Sequence, residues 1–198
     1  MFGRLVMGSP SLYGRIAARQ AGDCQPPAEY WQIAGATCDS KVMSKSGRQT
    51  FIPALSYKDP LAALEWLEKA FGFERSMLIM GRSGVYRADE FHAEMKFGNG
   101  VVMIGGEWTE HHRSPRSAGG VMTQTVHVHL DEDIDAHCAR ARAAGAKIVA
   151  EPADQFYGDR TYRAADPEGH VWSIGQTRRQ VSREDAEKAS DLKIEGWI

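Results

Sequence analysis

The chain has 198 residues, 42% of them hydrophobic, which places it among globular chains able to bury one ordinary core or two small ones. Its 24 basic and 26 acidic residues give a net charge near −2, which leaves no electrostatic footprint for nucleic acid or for an anionic membrane surface. No apolar run approaches the length of a membrane span, so a soluble protein with a small-molecule or protein partner is expected. Cys24, Cys38 and Cys138 are far apart, odd in number and without a CxxC pair, which suits a reducing, cytoplasmic compartment.

Residues 1–48 show no sustained helix or strand period and read as a poorly ordered N-terminal extension. Their first 22 residues lack acids and carry Arg4, Arg15 and Arg19, weakly like a transit peptide. A disordered leader, or a true start at Met43, is the plainer expectation.

A strand is expected at Phe51 to Tyr57. Asp59 then caps a helix with Pro60 at its first position, Leu64, Leu67 and Phe71 on one face, and Gly72 at its end. Strands follow at Arg75 to Met80, Glu90 to Phe97 and Val101 to Gly105, punctuated by Gly81-Arg82-Ser83-Gly84 and Gly98-Asn99-Gly100. After a polar linker from Glu107 to Gly120 the order repeats. Thr125 to Leu130 alternates as a strand; Asp133 caps a helix whose face carries Ile134, Cys138 and Ala141; Gly145 ends it. Strands at Lys147 to Ala150, Arg160 to Ala164 and His170 to Ile174 complete the second unit. The period lies in the seventies, longer than a solenoid repeat, so residues 49–177 form one α+β domain with halves at about 50–106 and 121–177. Each half is a βαβββ unit. The tail, 178–198, has a short helix at Ser182 to Lys188 and a docked Trp197.

Four motifs in order, Pro53-Ala54-Leu55, Ala70-Phe71-Gly72, Gly158-Asp159-Arg160 and Asp166-Pro167-Glu168-Gly169-His170-Val171-Trp172, resemble the glyoxalase/bleomycin resistance/dioxygenase superfamily, also called the vicinal oxygen chelate fold. More narrowly they look like its PhnB-like branch. The resemblance covers about residues 50–177. It implies a cup-shaped, partly open mixed sheet built by the two halves, with helices outside, and a homodimer. Lyases, isomerases, dioxygenases and non-catalytic drug binders share the fold, so the site must decide the function.

Enzymes of the family hold a divalent metal through His, Gln or Glu on the first and last strands of each half. By alignment those positions fall on Ile52, Thr125, Met103 and Ser173, a poor ligand set. A shift of one residue would bring Gln124 to the cup without rescuing the others. No cofactor is therefore expected, and a divalent metal is disfavoured.

His127 and His129 are two apart on one strand, so both rings share a face, opposite Val126, Val128 and Leu130. His92 and Glu94 have the same relation. A His-x-His pair suits a relocated metal or acid/base work, and equally a hydrogen-bonding lining. Tyr157, Arg160, Tyr162 and Trp172 could stack on a planar ligand and pair with its acidic group, although a paired Arg160 and a core Trp172 are the commoner outcome. His111-His112 is a solvated loop or a lid, and Cys138 a buried, unreactive thiol.

The expected function is binding of a small aromatic or amphipathic molecule in a cup lined by His92, Glu94, His127, His129, Tyr157, Arg160, Trp172 and Ser173. The alternative is a lyase, isomerase or dioxygenase-type enzyme using a relocated metal or histidine acid/base groups. A third class, an interaction module using its tails, would fill the cup with its own side chains.

Overall fold

The computed structural model describes residues 49–197. The expectations for the first 48 residues lie outside them. Within β1 (Ala54–Tyr57), Leu55 and Tyr57 are buried and their neighbours are not, the alternation of a strand with one face on a core. Asp59 then accepts the Ala62 N–H at 3.1 Å and Pro60 opens α1 (Pro60–Phe71). Leu64, Leu67 and Phe71 form its buried stripe, and Gly72, at φ 77°, ends it in a conformation open to glycine. The chain returns through β2 (Glu74–Ile79), β3 (His92–Phe97) and β4 (Gly100–Gly106). The expected strand start at Glu90 is instead a 3-10 turn, Ala88–Glu90.

The second half repeats this plan with β5 (Val126–His129), α2 (Ile134–Ala143), β6 (Lys147–Asp154), β7 (Asp159–Ala165) and β8 (Val171–Thr177). Asp133 caps α2 through the Ala136 N–H at 2.9 Å. Ile134, Cys138 and Ala141 are buried as their spacing predicts, and His137 is buried with them. A third helix, α3 (Arg183–Ser190), is capped by Ser182.

The two sheets have the same strand order, β1-β4-β3-β2 and β5-β8-β7-β6, with the first and last strands of each half parallel and the others antiparallel. The fold is α+β, with two open four-stranded mixed sheets. The helices of the two halves pack on one another: Trp66 Nε1 donates to the Ala144 carbonyl at 2.8 Å, and Arg140 reaches the carbonyls of Ala70 and Phe71. Trp172 has no exposed surface and lies edge-on to Phe71 and Phe73.

The turn before β8 closes the assembly. Asp166 Oδ1 accepts the N–H groups of Glu168 and His170, each at 3.0 Å, while Oδ2 accepts the Tyr57 hydroxyl at 2.7 Å and the Trp172 indole N–H at 3.3 Å. Glu168 takes the backbone N–H groups of Lys58 and Asp59 at 2.7 and 2.8 Å, and His170 Nε2 donates to the Ser56 carbonyl at 2.9 Å. Burial, reinforced by the Asp166 charge, holds the Tyr57 phenol well above its usual pKa, so it remains a donor. We expect Asp166→Ala to cost about 3 kcal/mol or more, since it strands several buried donors at once, and Tyr57→Phe to cost less. Urea denaturation of the two variants measures the difference.

His137 forms a second link between halves. A carbonyl only accepts, so Nε2–H donates to Phe71 O at 3.1 Å, and Nδ1 accepts the Tyr162 hydroxyl at 2.7 Å. Burial, with Arg140 nearby, depresses its pKa. The unfolded chain therefore takes up a proton near pH ~6.5 that the folded chain refuses, and stability is full above that value and falls as pH drops below it. Melting temperatures from pH 8 down to 5.5 are expected to fall in the native protein and to fall less in His137→Gln.

Candidate functional site

β5 is the wall of two cavities. On the open face of the second sheet, a cavity of about 720 Å³ is lined by His127 and His129, by Phe156, Tyr157, Asp159 and Thr177, and by the tail residues Arg179, Gln180, Val181, Ile194 and Trp197. A smaller cavity of about 310 Å³ lies between β5 and the Phe97 to Val102 turn of the first half. The alternation read from the sequence holds: both imidazoles are exposed, and Leu130 is buried. The tail forms one side of the larger cavity because it is tied down at both ends. Arg178 and Arg179 N–H groups bind the Gly158 carbonyl, and Trp197 Nε1 donates to the Val181 carbonyl at 3.1 Å. Gly158 has φ 104°, and a Cβ there would stand 2.2 Å from the Arg179 carbonyl, so only glycine lets the tail cross.

The His127 ring lies over Gly175, where a Cβ would come within 2.9 Å of its Cε1. Its Nδ1 is 3.0 Å from Ser173 Oγ. Partial burial pulls its pKa below the usual histidine value, the neighbouring His129 adds to this, and Asp159 opposes it. His127 therefore presents a neutral ring to the cavity at pH 7. The Tyr157 hydroxyl is pushed up by burial and by Asp159, while Arg163 pulls it back.

The other expected residues are placed differently. His92 is buried and its Nε2 is 3.7 Å from Glu94 Oε1, on the first sheet. Neither lines either of the cavities bounded by His127 and His129. Trp172 is core, although one edge meets the smaller cavity. Arg160 is held by Asp135 and Asp154 at 2.9 and 3.0 Å and lies outside the lining of the larger cavity. Tyr162 is buried against His137 rather than at the cavity. His112 stacks on Trp108 at 4.2 Å and roofs a separate cavity of about 290 Å³ on the first sheet, beside Ala54, Ser56 and Met103.

Sequence reasoning missed Asp159, Thr177, Arg163 and Gly175. Strict alternation through Thr161-Tyr162-Arg163-Ala164 would have put Arg163 on the open face. Trp197 was expected to dock, but Arg179, Gln180, Val181 and Ile194 carried no local signal of a cavity wall.

The Glyoxalase/Bleomycin resistance protein/Dioxygenase superfamily model matches residues 52–174. The chain belongs to this superfamily. TioX from Micromonospora sp. ML1 is 32% identical with a TM-score of 0.50, over 64% of this chain and 97% of that one. Uncharacterised proteins of Mycobacterium bovis and Mycobacterium tuberculosis are each 31% identical over 148 residues, 73% of this chain and 93% and 84% of theirs.

The superfamily's metal positions can now be tested by register. Ala54 pairs with Met103, and His127 pairs with Ser173, so His127 rather than Thr125 is the first-strand residue opposite Ser173. A methyl, a thioether, an imidazole and a hydroxyl do not make a ligand set for a hard or borderline divalent ion. Among the described residues, no three His, Cys, Asp or Glu side chains converge to hold one.

The Gly175 seat makes a direct expectation. Gly175→Ala should displace the His127 ring and break its contact with Ser173 while the protein stays folded. Histidine NMR titrations are expected to place His127 below pH ~6.5 in the native protein and to show its resonances moved in the variant.

Proposed function

We propose that this protein is a small-molecule-binding member of the superfamily that works without the family's metal and takes an aromatic or amphipathic ligand on the open face of the second sheet. The observation that carries the reading is the cavity of about 720 Å³, with Phe156, Tyr157 and Trp197 as aromatic walls around a neutral imidazole and a hydroxyl-bearing strand. Aromatic walls with a few placed polar groups are what a planar organic ligand needs. The description of the superfamily itself includes bleomycin resistance proteins beside enzymes.

The reading extends to assembly. The open face of the first sheet and that of the second lie on separate sheets, and a second copy could set one against the other, so we infer a homodimer whose cups are completed between subunits. The four ordered motifs support a position in the PhnB-like branch. Among the described residues no helix is long and apolar enough to cross a membrane, and the Cys138 thiol is free and buried; both agree with a cytoplasmic protein.

The rival reading, proton transfer by His127 with or without a relocated metal, has support in the depressed pKa of that ring. Metal analysis of protein purified without a histidine tag separates the two, combined with an aromatic-ligand screen read by tryptophan fluorescence. We expect substoichiometric metal, and ligand affinity unchanged after chelation. A tightly held ion at one per chain, required for binding, would overturn the reading.

A further inference from the structure

Beside the larger cavity, outside its lining, the open face of the second sheet carries a charged side chain, Arg163. Arg163 pairs with Ser173 across β7 and β8, so the two side chains share the open face, with His127 on the far side of Ser173. Its neighbours in sequence, Tyr162 and Ala164, point into the core. Arg160, three residues earlier, is occupied by two aspartates, and Arg140 and Arg142 by Glu132 and Glu151. Arg163 is different: among the described residues it has no hydrogen bond, ion pair or ring contact, and it is exposed. Its charge is nonetheless felt at the Tyr157 hydroxyl, which lines the cavity.

The carboxylate of the cavity lies at the other end. Asp159 is four residues back along β7, about 13 Å at ~3.3 Å per residue, and already accepts the Thr177 hydroxyl at 2.7 Å. Between the two ends lie Thr161 and Gly175, paired in register, with no bulky side chain of their own. The face therefore offers a cation beside Ser173, then the His127 ring seated over Gly175 with aromatic rings beyond it, and then Asp159, with Arg179 on the tail side of the cavity.

Resting on the proposed small-molecule reading, the geometry points to an aromatic anion as the ligand class, with Arg163 binding its carboxylate or sulfonate beside Ser173 and the ring system lying against the His127 imidazole toward Tyr157 and Trp197. A guanidinium forks onto a carboxylate through two parallel N–H donors, which a neutral imidazole cannot match.

The test uses the full chain and two matched dyes, anilinonaphthalene sulfonate and its uncharged relative N-phenylnaphthylamine. Fluorescence titration is expected to show one sulfonate site per chain, displaced by the neutral dye and weakened by salt. Arg163→Gln should weaken the sulfonate by about tenfold or more and the neutral dye by less than about twofold, and Arg163→Lys should recover part of the loss. Because Arg163 is exposed, circular dichroism should show both variants folded. An unchanged sulfonate affinity in Arg163→Gln, an equal loss for both dyes, or several weak sulfonate sites per chain would overturn the assignment while neutral-dye binding keeps the broader reading. If neither dye binds the folded protein, both readings fall.

Discussion

The arrangement depends on two buried carboxylates in one turn. Asp166 fills its acceptor sites with two backbone N–H groups of its own turn, a tyrosine of the first half and the indole of β8. Glu168 spends both oxygens on the backbone entering α1. Removing charge from water is costly, and it is tolerated here because each oxygen finds donors of fixed geometry. The result is that β1, the start of α1 and β8 are set at one relative height. Everything on β8, including Ser173 and Gly175, inherits its register from that latch.

This is why the Asp166 to Trp172 stretch was so legible. Each residue has a local job that its type reveals: proline and glycine shape the turn, and the acids and His170 bond backbone. The helix caps at Asp59 and Asp133 were legible for the same reason, since a cap is a contact across three residues. Arg160 shows the opposite case. Its type suggested an anion partner, and it has one, but Asp135 and Asp154 come from α2 and β6, and nothing near Arg160 in the chain announces them. His92 and His127 are not grouped within one chain for a topological reason: β3 and β5 belong to two separate sheets. The tail helix and the docking of Trp197 were legible, but not the wall they build, because Trp197 and Val181 meet only after α3 reverses the chain.

Duplication also explains how the two sheets could diverge. The pairs Ala54 with Met103 and His127 with Ser173 occupy the same register in the same strand order. One pair kept only apolar groups, beneath a roof of Trp108 and His112; the other kept a hydrogen-bonding pair. Strand pairing does not depend on which side chains face outward, so each open face could change chemistry without disturbing the core behind it.

What the second face can do follows from magnitudes. A buried aromatic ligand removes about 150–250 Å² from water, roughly 4–6 kcal/mol at ~25 cal/mol per Å². A charge-assisted contact adds about 1.5–3 kcal/mol, and immobilising the ligand takes part of this back. Before that cost the gains come to about 5.5–9 kcal/mol, so micromolar binding, worth about 8 kcal/mol, is an upper bound for such a ligand. Burial acts equally on a ground state and a transition state, and a guanidinium tells them apart only where charge develops beside it. Uniform binding of this kind holds a molecule without lowering the barrier to its reaction. Proton transfer on this face would fall to His127, with His129 and Asp159 lining the same cavity, and the His127 ring is fixed over Gly175 with Ser173 at its Nδ1. On the proposed binding role, the contacts that hold a ligand are separate from the groups that could act on its protons.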